Sequence, residues 1–150
     1  MSRSGQLKIY KNSGAAQFSL IECRRDDRGF ITKEGAVLVE VAKCNGKDSD
    51  GNIQANWGDK ISFAINTADI CNLMDEYNER AHRLFHNYRG TVKSLEFRPG
   101  QGKYEGTYML QVNEGGKDGK TITVPLTNGE YNMVMRLLIG CAAPKLIGWE

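Results

Sequence analysis

Lysine, arginine and aromatic side chains interleave at three places along this chain. Lys8, Tyr10 and Lys11 lie together near its start, Trp57 and Lys60 follow, and Lys93, Arg98, Lys103, Tyr104 and Tyr108 form the third group, with Lys33 a further cation between them. Such residues can hold single-stranded nucleic acid. Cations follow the phosphates while bases stack on aromatic faces, at about 1–3 kcal/mol per base. The net formal charge is only +2, so bulk attraction does not bind a polyanion and stacking has to supply the energy. The same residues have a plainer reading, because lysine guards sheet edges and tyrosine is common on sheets.

Other constellations are weaker. His82 and His86, with Glu79, have the spacing of metal ligands on one helical face, but no second ligand cluster completes a site. They read as ordinary surface or helix-end histidines. Asp48, Asp50 and Asn52 imitate the start of a calcium loop, yet Ile53 stands where glycine is needed and Asp59 where glutamate is. Residues 114–121 imitate a phosphate loop, but Glu114 replaces the first glycine and a strand follows. There is no serine elbow, and cysteines 23, 44, 71 and 141 show no paired spacing. They read as reduced, mostly core residues of an intracellular protein. The expectation is a chain without catalytic residues, metal or cofactor.

Composition sets the frame. A chain of 150 residues with 40% hydrophobic and 25% charged content is long and apolar enough to fold as one domain without staples. No apolar run approaches the roughly 20 residues of a membrane span. The opening MSRSGQLKIY has no apolar signal core and is no clear transit peptide, so either the protein works where it is made or a presequence has been removed.

The elements that must position the candidates follow from periodicity. Strands are expected at Leu7–Lys11, Ala15–Arg24, Gly35–Lys43 and Asp59–Ile65, then at Thr91–Arg98, Tyr104–Asn113 and Lys120–Leu126. In the third of these, VLVEV is apolar on both faces and should be covered on both sides. Pro99-Gly100 suits the middle of a type II turn. A first helix carries Ile70, Leu73, Met74, Tyr77, Ala81, Leu84, Phe85 and Tyr88 as a stripe ending at Gly90. KISFAINTADICNLM at 60–74 and ITVPLTNGEYNMVM at 122–135 match without a gap, Ile61 on Ile122 and Met74 on Met135. Asn66 with Asp69, and Thr127 with Glu130, place a capping oxygen and a first-turn carboxylate at equivalent points. A strand-to-helix corner is thus used twice, giving repeats at about 6–89 and 90–143 and a tail at 144–150.

The second helix, about Gly129–Cys141, differs from the first. Tyr131, Val134, Met135 and Leu138 make one stripe, while Met133, Leu137 and Ile139 lie off it. A helix apolar nearly all round needs a second cover, either another subunit or the tail PKLIGWE, in which Pro144 is expected to end the helix.

Several segments in order resemble the Whirly family of single-stranded DNA-binding proteins: KIYKNSGAA at 8–16, KEGAVLVEVA at 33–42, NWGDKISFAINTADICNLM at 56–74, LFH at 84–86, ITVPLTNGEYNMVM at 122–135 and PKLIGW at 144–149. The resemblance implies an α+β fold of two four-stranded antiparallel sheets packed nearly at right angles, each followed by a helix. It implies a homotetramer with helices at the hub, single strands held between blades largely regardless of sequence, and roles in genome maintenance, repair and transcription. The same fold serves RNA-binding proteins that anneal guide RNA, so RNA stays open as a ligand. Two positions depart from the family. Asn12-Ser13 stands where its lysine-rich segment has glycine and a second lysine, and Ala55-Asn56 where it has tyrosine and aspartate before the tryptophan. The reading is a non-enzymatic, intracellular, DNA-associated protein binding single strands through the cations and rings above, with Met133, Leu137 and Ile139 between subunits. A structural module that recruits an acidic protein through its basic face is the reading from another class.

Overall fold

Alternation in the apolar runs builds two antiparallel sheets. The structure, a computed structural model, describes residues 5–75, 82–115 and 119–149. The chain runs through β1 (Gln6–Tyr10), β2 (Gly14–Ile21), a ribbon of β3 (Arg24–Arg25) and β4 (Ile31–Lys33), then β5 (Ala36–Lys47), β6 (Ile53–Ala55) and β7 (Ile61–Ile65). Helix α1 (Thr67–Asp75) follows. Next come β8 (His82–Tyr88), β9 (Thr91–Pro99), β10 (Tyr108–Glu114) and β11 (Lys120–Leu126). A final helical run comprises α2 (Asn128–Met135), wider π-type turns over 136–142, and α3 (Ala143–Leu146).

The class is α+β, as expected, with one difference in strand count. Sheet one has the order β1-β2-β5, and β6 and β7 share the far side of the long β5, so five strands fill four positions. Sheet two is the meander β11-β10-β9-β8. Val37, Val39 and Val41 of β5 are buried, and so are Glu40 and Ala42 on the opposite face, which bears out a strand covered on both faces. Phe18, Phe63, Phe97, Leu110 and Val124 from the two sheets meet Leu73, Val134 and Leu138 from the helices in one core. Burying each such side chain contributes about 1.5–3 kcal/mol.

Both corners carry the caps expected of them. The Asn66 side chain accepts from the Asp69 N–H at 2.9 Å, and the Asn66 N–H donates to Asp69 Oδ2 at 2.9 Å. Thr127 and Glu130 make the same reciprocal pair at 3.0 and 2.8 Å. Matched positions Ile61 and Ile122, Phe63 and Val124, and Ile65 and Leu126 are all buried. Met74 and Met135 part company, since Met74 is 58% exposed and Met135 is buried.

The first helix is shorter than the sequence suggests. It is described to Asp75, and residues 82–88, expected as helix, form β8 on the edge of sheet two. Tyr77 and Ala81 of the expected stripe, and Glu79 of the histidine spacing, lie outside the described residues. His82, Leu84 and His86 turn inward while Arg83, Phe85 and Asn87 turn outward, a period of two that the helical spacing of 84, 85 and 88 disguises. The turn decides. Arg89 (φ 52) and Gly90 (φ 84) are both left-handed between paired Tyr88 and Thr91, the two-residue geometry whose twist suits a hairpin.

Other expectations need correction. Pro144 does not end the final helix. Proline lacks the N–H donor and crowds the preceding turn, and here the helix widens before it, so that Pro144 stands at the start of α3 where that donor is not required. No type II turn forms at Pro99-Gly100. The positive φ values fall on Gly102 and Gly106 instead, and Gly100 donates to the Thr107 carbonyl at 2.8 Å. A Cβ on Gly100 would lie 2.2 Å from the Tyr104 carbonyl, so this close approach requires glycine. The cysteines are not core residues either. Cys23 and Cys44 are half-buried, Cys71 and Cys141 are exposed, and all four are free.

Candidate nucleic-acid interface

Residues that pair across neighbouring strands share a face of the sheet, and this places the first cluster. On the outward face of sheet one, Lys8, Gln17, Glu40 and Ser62 form one rung across β1, β2, β5 and β7. The next rung is Tyr10, Ala15 and Ala42. Trp57 stands in a single 3₁₀ turn over Trp57–Asp59, between β6 and β7, and this turn packs against β5. Its ring meets Tyr10 edge to face, with centroids 6.3 Å apart and planes at 87°. Lys60 ends the turn and pairs with Glu40. Lys8, Tyr10, Trp57 and Lys60, spread over a third of the chain, are therefore brought into one patch.

Glu40 is the patch's buried charge, 6% exposed. Burial pushes its carboxyl upward, but hydrogen bonds from Lys60 and from Gln17 Nε2, at 2.8 Å, outweigh this and hold it below the usual carboxylate range.

The second cluster lies on sheet two. Lys103 and Tyr104 occupy a 3₁₀ turn over Gly102–Tyr104 at the tip of the β9–β10 hairpin, outside the strand expected to begin at Tyr104. The Lys103 ammonium sits 5.1 Å from the Tyr104 ring centroid. On the outward face Arg98 Nη1 donates to Gln111 Oε1 at 2.6 Å and lies 3.7 Å from Glu96.

Other candidates are engaged within the chain. Lys11 reaches Glu130 at 2.7 Å and so ties β1 to the cap of α2. Burial raises the Glu130 carboxyl, but Lys11 and Thr127 overcome this and lower it. Lys93 faces inward at the seam of the sheets, donating to the Ser62 carbonyl at 2.9 Å and lying 3.2 Å from Glu114. Tyr108 stacks on Tyr131, centroids 3.7 Å apart and 9° between planes, which commits one face of its ring to the core. Lys33 stands on the ribbon, opposite Arg24, away from both clusters.

Sequence reasoning missed Arg83 and Phe85 by assigning them to a helix. On β8 both point outward, with Phe85 59% exposed and the Arg83 guanidinium 4.9 Å from its ring centroid. The left-handed turn at 89–90 is the signal that locates them. The histidines are not surface or helix-end groups. His82 is buried; His86 stacks on Phe63 at 4.2 Å and its Nε2 lies 2.7 Å from Asp69 Oδ2. On a strand, four residues span about 13 Å, too far for one metal ion, and no metal-binding cluster occurs among the described residues.

Away from these clusters, two apolar grooves flank the final helix. One of about 580 Å³ is lined by Leu7, Leu20, Met133, Leu137 and Ala142, and one of about 530 Å³ by Met74, Met135 and Ile139. Met133 is 56% exposed, and Leu137 and Ile139 are half-buried. In the tail Leu146 is buried, its carbonyl taken by Gly35 N–H at 2.8 Å, whereas Ile147 and Trp149 are exposed. Among the described residues no helix is long and apolar enough to cross a membrane.

The family model described as Whirly transcription factor matches residues 9–137. The chain belongs to the Whirly family. Solved structures similar to this Whirly chain include WHY1 from Arabidopsis thaliana, at 21% identity and TM-score 0.80, covering 99% of this chain and 88% of that one. WHY3 from Arabidopsis thaliana is similar at 20% identity and TM-score 0.79, with 99% and 92% covered. The plant transcriptional regulator PBF-2 is similar at 19% identity and TM-score 0.78, with 97% and 83% covered. At these identities the likeness shows the fold. No curated protein sequence matches the chain.

Proposed function

We propose that this Whirly chain is a non-enzymatic protein that binds single-stranded DNA with little regard to sequence, as a homotetramer. The observation that carries the reading is the Tyr10–Trp57 ring pair, 6.3 Å between centroids, on one sheet face with Lys8 and Lys60. Rings accept any base because every base has a π-face, and neighbouring cations take the phosphates. Lys103 with Tyr104 repeats the combination on sheet two, and exposed Phe85 beside Arg83 adds a third ring. Membership of a family described as transcription factors, and likeness to a plant transcriptional regulator, support a DNA ligand and a role in handling single strands during transcription or genome maintenance.

The tetramer rests on the final helix. Met133, Leu137 and Ile139, with Met74, offer apolar surface that a second copy would cover. Light scattering at micromolar concentration is expected to give four times the chain mass, and a monomer would remove this part of the reading.

Fluorescence anisotropy with a labelled oligonucleotide, its duplex and the matching RNA tests the ligand. Single-stranded DNA is expected to bind most tightly. Equal affinity for duplex sinks the stacking mechanism, and a preference for RNA moves the ligand to RNA.

A further inference from the structure

Glu40 places a paired carboxylate outside the hydrophobic core. It lies on the outward face of sheet one, away from the core, yet is almost wholly buried. Burying a carboxylate is unfavourable unless it is paired, and a buried ion pair is weak grounds for stability, since apolar residues of similar volume often serve as well. What Glu40 does hold is specific. Oε1 accepts from Gln17 Nε2 at 2.8 Å, and Oε2 is paired with Lys60, three residues from Trp57. The arrangement recurs at the seam, where Lys93 lies 3.2 Å from Glu114.

Resting on the single-strand reading above, we propose that Glu40 is an internal competitor for phosphate. By neutralising Lys60 it weakens contact with a phosphate backbone alone, so that lasting association requires bases on the rings. Glu114 does the same to Lys93, whose side chain is directed into the seam but stays 30% exposed. Duplexes and base-free polyanions bring phosphates but no open base faces, and the two carboxylates disfavour them. Glu40 then lowers affinity for every phosphate-bearing ligand, and only those that also stack bases on the rings stay bound.

Wild-type, Glu40→Gln and Glu114→Gln chains are titrated with a labelled single-stranded oligonucleotide, its duplex and inorganic polyphosphate across a salt series. Glutamine keeps the volume and leaves an acceptor for Gln17. Each freed cation is expected to tighten binding of the single strand about five-fold at about 0.1 M salt and to steepen its log–log salt slope by about 0.7. Duplex and polyphosphate are expected to gain in the same direction. Folded variants that bind all three ligands no more tightly, with unchanged slopes, overturn the proposal, because Glu40 then merely orients Lys60. Glu114 is far less buried than Glu40, so its variant decides the matter if Glu40→Gln does not fold. A wild-type chain that ignores single strands, with variants that gain on polyphosphate, overturns the single-strand reading and supports the competitor.

Discussion

Salt dependence separates the geometry of this interface from a count of its cations. Lys8, Lys11, Lys33, Lys60, Lys93, Arg98 and Lys103 are the candidate phosphate contacts. The structure places Lys11, Lys60, Lys93 and Arg98 within ion-pair range of Glu130, Glu40, Glu114 and Glu96. Lys8, Lys33 and Lys103 have no carboxylate partner among the described residues. A lysine already held by a carboxylate neutralises no phosphate, and Lys33 stands away from both clusters, so only Lys8 and Lys103 should displace counterions from the strand. With about 0.7 per cation, the log–log slope for one protomer on a short single strand is about −1.4. All seven together would give roughly −5. Raising salt from about 50 to about 200 mM should therefore weaken binding about 7-fold, against roughly 900-fold if every cation met a phosphate. Anisotropy titrations at four salt concentrations, with an oligonucleotide short enough to occupy one protomer, read the slope directly. A value near −5 refutes the reasoning, since it means that the strand opens the intramolecular pairs.

The ring pair should carry more of the energy than the cations. Trp57→Ala is expected to weaken single-strand binding about 5- to 150-fold, the range of one lost base stack, with an unchanged salt slope; equal loss on duplex would contradict this. Replacing Tyr108 should act on stability first, because its ring is packed on Tyr131; a melting temperature unmoved by Tyr108→Ala would contradict that packing. Thr127→Ala removes one half of a capping box and should lower unfolding free energy by about 1 kcal/mol, measured by urea titration. Glu40 and Glu130 are both lowered from an ordinary value of 4.5. Groups depressed in the folded state stabilise above their unfolded pKa, and that contribution is lost as pH falls through the folded value. Stability should therefore fall below about pH 4.5, and Glu40→Gln should flatten that acid limb; melts from pH 7 to pH 3 check the sign.

The legible parts of the chain were those where a local signal and its tertiary role coincide. Both strand-to-helix corners could be placed because a capping box is a contact between residues three apart, satisfied by neighbours in sequence. The doubly covered β5 was readable because VLVEV has no polar side until Glu40, and the family could be recognised from segments spread along the chain. Residues 82–88 were not legible. Their spacing fits a helix and a strand, and only the pairing of β8 with β9, closed by a left-handed turn, settles the choice. Pro144 misled for a related reason, since a proline is a stop signal only when the turn before it is α-helical.

The residue types of the interface, the caps, the apolar girth of the final helix and the absence of bulk positive charge are properties of the sequence itself, because each depends on composition or on neighbours within a turn. Which cations remain available is not. Lys60 and Glu40, Lys93 and Glu114, and Lys11 and Glu130 are remote in the chain and meet only through sheet register and the packing of one sheet on the other. Tertiary structure therefore decided that Tyr10 and Trp57 share a face and that most nearby charge is already spoken for. Electrostatic pairing acts over a few ångströms of space, and sequence distance does not measure that.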